Sequence, residues 1–412
     1  MAPLRLTCCP DAPLGTQGRT DWALFAPHED GAWVQGPAAA PGGAGRLALL
    51  TQPWGTALAE VTRHFEALEI APEGPLCVLI HGFRYEPRAG GIDNPHRECL
   101  SPEGWPARLG LSERGTAVAF GWASDPAYRT GGWRDWVARA TGSRDGGWYA
   151  SAYRRAPVAA DGLALTLTAL SRVHPDREID LLAHSLGARV ALRALRRMAR
   201  GHREERAALA RTGRVLLLHA APHWADASRS LRAMAEADAH RPQVLNLIAG
   251  RDAVLRRWGA RLAGYTEVGQ GESVPLLERV RSLVLGGRVL GVHGKPPGTG
   301  FRAWMDLALE REALADWAAA LEPPLDFRPP GGVATDHRAA VEGDGFMAFC
   351  GRVLHERRAY GLPALRWGHG ARPPIPAGLS GTGPLEGRRA RRGRAWLRWL
   401  RRRGGATRSA RP

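Results

Sequence analysis

The chain has 412 residues, 44% of them hydrophobic and 24% charged, which excludes a disordered chain and leaves room for one large core with additions. The 51 glycines and 31 prolines imply many turns and long loops without reaching a disordered composition. The formal charge of +17 invites a nucleic-acid reading, but eleven arginines and no acidic residue fall in 387–412, which leaves +6 for everything else.

In chain order, the first apolar groups are Trp22–Phe25 and Leu47–Leu50, separated by a Pro/Gly/Ala stretch from Gly36 to Gly45; they read as edge strands joined by a loop. Leu58, Val61, Phe65 and Leu68 recur at helical spacing and predict a helix over 56–68. Leu76–Ile80 is continuously apolar, as a parallel strand covered on both faces should be. Similar runs follow at Thr116–Phe120, Ile179–Ala183, Val215–Leu218 and Val244–Ala249, with helical stretches between most of them, notably 149–173 and 186–200. Alternation of this kind predicts an α/β fold with a mostly parallel sheet flanked by helices.

Residues 262–335 break the rhythm. They are rich in glycine and proline, carry an amphipathic stretch near Trp304 to Leu321, and read as an inserted cap or lid. A closing helix is expected over 339–358, and linker composition begins near 368. The expected organisation is a catalytic domain over 1–367, followed by a Pro/Gly linker and an arginine-rich tail over 368–412.

The chemistry is concentrated after the strand Ile179–Ala183, where Ala183-His184-Ser185-Leu186-Gly187 runs directly into the helical Ala188–Met198. This is a nucleophile elbow with alanine in the first small position. Small residues at 183 and 187 are required because the turn is too sharp for larger side chains. Ser185 then projects clear of the sheet at the amino end of a helix, where developing negative charge is favoured. One hundred residues earlier the strand Leu76–Ile80 ends in His81-Gly82-Phe83. An acyl-transfer site needs two N–H donors for the oxyanion, and the backbone groups of Phe83 and Leu186 are the natural pair. His81 itself reads as structural.

In a fold of this type the orienting acid follows the nucleophile and the base follows the acid. Asp252, where the strand Val244–Ala249 ends, is the first choice of acid; Asp226 is the alternative, and a turn aspartate that merely caps the next segment is the competing reading of Asp252. His337, in the loop ahead of the closing helix, is the expected base, with His293 and His355 as rivals.

Together these residues resemble the α/β-hydrolase superfamily, and more narrowly its uncharacterised bacterial esterase/lipase-like branch with the A-H-S-x-G elbow. The resemblance covers roughly 70–260, through His81-Gly82-Phe83, Phe120–Asp125, the elbow, Ala220-Ala221-Pro222 and Arg251-Asp252, and returns weakly at Asp336-His337. It implies a Ser-Asp-His triad that cleaves a carboxylic ester through an acyl-enzyme, with no metal or organic cofactor. Thioesterases and amidases share that constellation, and a non-catalytic binding or membrane-associated protein of the same fold is the contrasting reading.

Other signals are weaker. His219 and His223 stand four apart, but Pro222 argues against a helical metal pair. No phosphate-binding glycine loop is present, and Lys295, the single lysine, follows no convincing strand. Trp133, Trp136, Trp148, Tyr149 and Tyr153 crowd the segment before the elbow and suit either the core or an acyl pocket. In the tail, Trp396, Leu397, Trp399 and Leu400 share one helical face opposite arginines, a pattern suited to an anionic membrane surface, with a disordered terminus as the alternative. Nucleic-acid binding ranks third, since nothing else resembles a nucleic-acid module. Five cysteines without paired spacing, no signal-like apolar start and no long apolar run predict a cytoplasmic protein, peripheral to the inner membrane face if the tail binds there.

Overall fold

A computed structural model of the chain describes residues 4–10, 21–26, 46–85, 101, 103–124, 144–237, 242–250, 252–256, 287–308, 337 and 344–355. The expected linker and arginine tail, and most of the 262–335 segment, lie outside the described residues.

The described strands are β1 (Leu4–Pro10), β2 (Trp22–Phe25), β3 (Arg46–Leu49), β4 (Leu76–Ile80), β5 (Thr116–Trp122), β6 (Ile179–His184), β7 (Thr212–Leu218), β8 (Gln243–Ile248) and β9 (Trp304–Ala308). They form one sheet in the order β3-β2-β1-β5-β4-β6-β7-β8-β9. From β1 to β9 every neighbouring pair is parallel. Only β2 runs against its neighbours. The helices are α1 (Trp54–Glu66), α2 (Trp105–Arg108), α3 (Arg144–Val173), α4 (Gly187–Arg200), α5 (Arg203–Arg211), α6 (Trp224–Glu236), α7 (Leu290–His293) and α8 (Asp344–His355).

Alternation along the central strands divides the core in two. Leu76, Val78 and Ile80 of β4 join Val118, Phe120, Leu181, Val215 and Leu217 in a cluster that also includes residues of α1, α3, α4 and α6. Cys77 and Leu79, with Leu182, Leu216 and Leu245, instead join Trp105 of α2 and Phe346, Phe349 and Leu354 of α8. A strand with helices on both sides must be apolar on both, which is why these runs show no polar alternation. Helix α1 shows the complementary pattern: Leu58, Val61 and Phe65 are buried on one face, each contributing about 1.5–3 kcal/mol by leaving water. The four described cysteines, Cys8, Cys9, Cys77 and Cys350, are buried thiols outside any disulfide. Among the described residues, no helix is long and apolar enough to cross a membrane.

Two elements differ from expectation. Strand β1 was not foreseen; only Leu4 and Leu6 mark its alternation, yet it pairs with both β2 and β5. Within the segment expected to be a cap, residues 287–308 supply α7 and β9, and β9 pairs with β8 from Val244↔Trp304 to Ile248↔Ala308. The amphipathic signal at Trp304 has period two: Met305 and Leu307 are buried while Trp304 and Asp306 are half-exposed, as on an edge strand. That part of 262–335 is therefore sheet, not lid.

The order of strands places the site. From β4 the chain moves to β5 on one side, then returns to β6 on the other. Where a parallel sheet reverses direction in this way, the carboxyl ends of the strands open a crevice. His81-Gly82-Phe83 leaves β4 and Ser185 leaves β6 at that place.

Candidate active site

Ser185 sits one residue beyond β6 with φ 53°, in the left-handed region that costs a non-glycine residue about 1–3 kcal/mol unless its surroundings fix it. Here they do. The Ser185 N–H donates to Leu218 O at 2.9 Å, and its carbonyl accepts from Ala188 N at 3.2 Å and Ala221 N at 3.1 Å. The small residue at 187 is a packing requirement, since a Cβ there would lie 2.5 Å from His81 O and 2.6 Å from Ile80 O. A Cβ on Gly82 would come within 2.9 Å of Ser185 Cβ. The β4 turn and the elbow therefore touch backbone to backbone. Of the expected oxyanion donors, Leu186 follows Ser185 on the elbow and Phe83 follows Gly82 on the facing turn.

His337 Nε2 lies 2.9 Å from Ser185 Oγ, and its Nδ1 lies 2.7 Å from Asp252 Oδ2. Serine, imidazole and carboxylate thus stand in one hydrogen-bonded line, although 85 residues separate His337 from Asp252 and 152 separate it from Ser185. Asp252 is fully buried. Burial alone would push its carboxyl up, but hydrogen bonds from His219 and His337 outweigh that and hold it well below the usual carboxylate range. Its Oδ1 accepts the Leu255 N–H at 2.9 Å, so the capping reading holds at one oxygen while the other oxygen faces the two imidazoles.

The rival residues are engaged elsewhere. Asp226, also buried, gives its oxygens to Arg189, Arg193 and Arg229. Burial opposes its ionisation, and the three guanidinium groups override that and hold its pKa far down. His293 keeps Nδ1 beside the Val289 backbone at 3.2 Å. His355 donates from Nε2 to Leu109 O at 3.0 Å. His81 accepts the Trp122 N–H at Nε2, 2.9 Å, and so carries its proton on Nδ1, which faces Gly82 O. That is a structural histidine clasping β4 to β5.

One residue of the site escaped the sequence reading. His219, at φ 47° just beyond β7, places Nδ1 2.7 Å from the same Asp252 Oδ2 that faces His337. The only sequence signal was its position directly after a strand adjacent to the elbow strand. Its spacing to His223 was uninformative, because His223 caps α6 by accepting the Ala225 N–H at 3.2 Å. Burial, opposed by Asp226, lowers the pKa of His223 to about 4 and keeps it neutral.

Around this line lie further rings. His184 packs against His337 with centroids 4.9 Å apart, and donates from Nε2 to His337 O at 3.3 Å. Tyr149 meets Phe83 edge-on at 5.7 Å, and Tyr153 stands 6.2 Å from Tyr149. Trp133 and Trp136 lie outside the described residues, as does the side chain of Trp148. His219, Asp252 and His337 bring their donor atoms within 4.8 Å of one another, a composition that could also hold a divalent cation. In the geometry observed, both Nδ1 atoms meet one carboxylate oxygen at hydrogen-bond distance, so the lone pairs that a cation needs are occupied by N–H groups.

A mostly parallel sheet between two helical layers, with a serine on a left-handed turn at its switch point, defines the α/β-hydrolase fold. Residues 105–252 match the model of a family described as alpha/beta hydrolase of unknown function (DUF900), in keeping with that fold. That match spans Ser185, His219 and Asp252 but stops short of His337. No curated protein matches the chain.

Proposed function

We propose that the protein is a serine hydrolase that cleaves a carboxylic ester through an acyl-enzyme. Ser185 Oγ attacks the ester carbonyl while His337 Nε2 takes its proton, and Asp252 holds the Nδ1–H tautomer and stabilises the imidazolium that forms. The oxyanion of the tetrahedral intermediate is received by the backbone N–H groups of Phe83 and Leu186. Collapse of the intermediate returns the proton from His337 to the leaving alcohol. Water then repeats the sequence on the acyl group and releases the acid. The observation that carries this reading is the continuous contact from Ser185 Oγ to His337 at 2.9 Å and from His337 to Asp252 at 2.7 Å. The family match supports the fold on which such chemistry is built.

A fluorophosphonate probe tests it: the full chain should label, Ser185→Ala should not, and hydrolysis of a p-nitrophenyl ester should follow the labelling. A folded wild-type chain that neither labels nor hydrolyses would favour the non-catalytic reading. Matched ester, thioester and amide substrates of one acyl group separate the three bond classes, with the ester expected to be cleaved fastest.

The tail adds a second part to the proposal. Arginines and tryptophans in 387–412 suit the surface of an anionic membrane, which would make the enzyme cytoplasmic and peripheral to the inner face. Deleting 387–412 should weaken binding to anionic liposomes and leave hydrolysis of a short soluble ester unchanged. Equal partitioning of both chains would remove the membrane partner.

A further inference from the structure

Asp252 Oδ2 is shared. His337 and His219 each place Nδ1 2.7 Å from it, while Leu255 N–H holds Oδ1. A carboxylate oxygen has two lone pairs, and two imidazole N–H groups use both. With Oδ1 also held, the carboxylate cannot turn about its Cβ–Cγ bond without breaking buried hydrogen bonds, each left unmade at a cost of about 1–3 kcal/mol.

We infer that His219 is a positioning residue that locks the orientation of Asp252 toward His337 without cancelling its charge, and so acts on catalysis through the carboxylate instead of touching substrate. This rests on the hydrolase reading above. The choice of imidazole matters physically. A guanidinium in the same place would fix the carboxylate equally well, but would neutralise the negative charge that must stabilise the His337 imidazolium. A neutral N–H donor fixes direction and leaves the charge in place.

The local structure is built to hold His219 there. Strands β6 and β7 pair through His184↔Leu218, so Ser185 and His219 follow side by side, both in the left-handed region. Asparagine, aspartate and histidine are the side chains that tolerate this conformation best. The turn after His219 is clamped by α7: Gly291 N donates to Ala220 O at 2.7 Å, and a Cβ at Gly291 would lie 2.6 Å from Ala220 N and 2.8 Å from His219 C. The ring of His219 is fully buried, edge-on to His337 with centroids 5.4 Å apart.

Two substitutions and one spectrum test the inference on the full chain. His219→Leu removes the donor at similar volume; His219→Asn keeps an N–H at the δ position and tolerates the left-handed backbone. With a short p-nitrophenyl ester, Leu should lower kcat by about 10–100-fold, the range seen when a partner that orients a ligand is lost, with KM within about twofold, and Asn should recover most of the loss. In the downfield proton NMR spectrum, wild type should show two imidazole N–H signals that disappear in Asp252→Leu, and the His219→Leu and His219→Asn variants should each retain only one of that pair. Undiminished kcat in His219→Leu, or an Asn variant as impaired as Leu, overturns the inference. Should the Leu variant fail to fold, the Asn variant and the wild-type spectrum decide, since only one imidazole proton lost with Asp252 refutes the shared carboxylate. Failure of the hydrolase reading is distinct, because it would show as wild type without turnover dependent on Ser185.

Discussion

Two buried aspartates follow neighbouring strands of the sheet, and both are plausible orienting acids by position. Asp252 follows β8 and meets two imidazoles; Asp226 follows β7, in the first turn of α6, and meets three guanidinium groups. Both carboxyls are held well below their ordinary range against the effect of burial. The stabilisation is similar in direction, yet its consequences differ. Around Asp252 the partners are two imidazole rings, one of which also meets Ser185 Oγ. Around Asp226 the cations exceed the carboxylate, so the charge is consumed in holding α4 to α6. A depressed pKa in a buried carboxylate does not distinguish an orienting acid from a structural one; which side chains it meets, and what they meet in turn, does.

Substitution can break this comparison at either end. Asp252→Asn should lower kcat/KM by about 10⁴-fold, because an amide favours the wrong imidazole tautomer, and the folded fraction at 25 °C should stay high. An Asp252→Asn enzyme with near-normal turnover would return the role of acid to another residue. Asp226→Asn should do the reverse. It strands buried Arg189, and denaturant melts should show a loss of about 3–5 kcal/mol, with turnover per folded molecule unchanged.

Acid sharpens the same contrast. The folded pKa of Asp226 is depressed, so its contribution to stability is complete above the unfolded value of about 3.9 and is lost as pH falls toward the folded value. Stability of the wild type should therefore fall steeply below about pH 4, and the slope should be shallower in Asp226→Asn; parallel curves would mean that Asp226 is not the source. The smallest effect is expected at the partly exposed pair between α4 and α3. Arg197 pairs with Asp161 at 2.7 Å, with both side chains more than a third exposed, and Asp161→Asn should cost only about 0.2–1 kcal/mol, a loss that vanishes in high salt.

Much of the site was legible before the fold. The elbow is a local steric statement: a strand, a small residue, serine and a glycine whose Cβ would strike the His81 and Ile80 carbonyls. The strands β4 to β8 were legible because burial on both faces forces continuous apolar runs. Strand β9 was not recognised because its five residues lie within a glycine- and proline-rich segment that reads as an insertion, and a strand that short shows little alternation until β8 lies beside it. Strand β1 was missed because an alternation as short as Leu4, Arg5 and Leu6 is weak until β5 lies beside it.

By itself, the sequence determined which backbone turns are possible and where a serine could be exposed on one, since those are matters of side-chain volume and φ over a few residues. Only the tertiary structure decided which carboxylate meets which imidazole, and that one carboxylate oxygen meets two histidines. A hydrogen bond of 2.7 Å between residues 33 or 85 positions apart depends on the register of β6, β7 and β8 and on where the loop holding His337 lands. Spacing along the chain contains no measure of those distances.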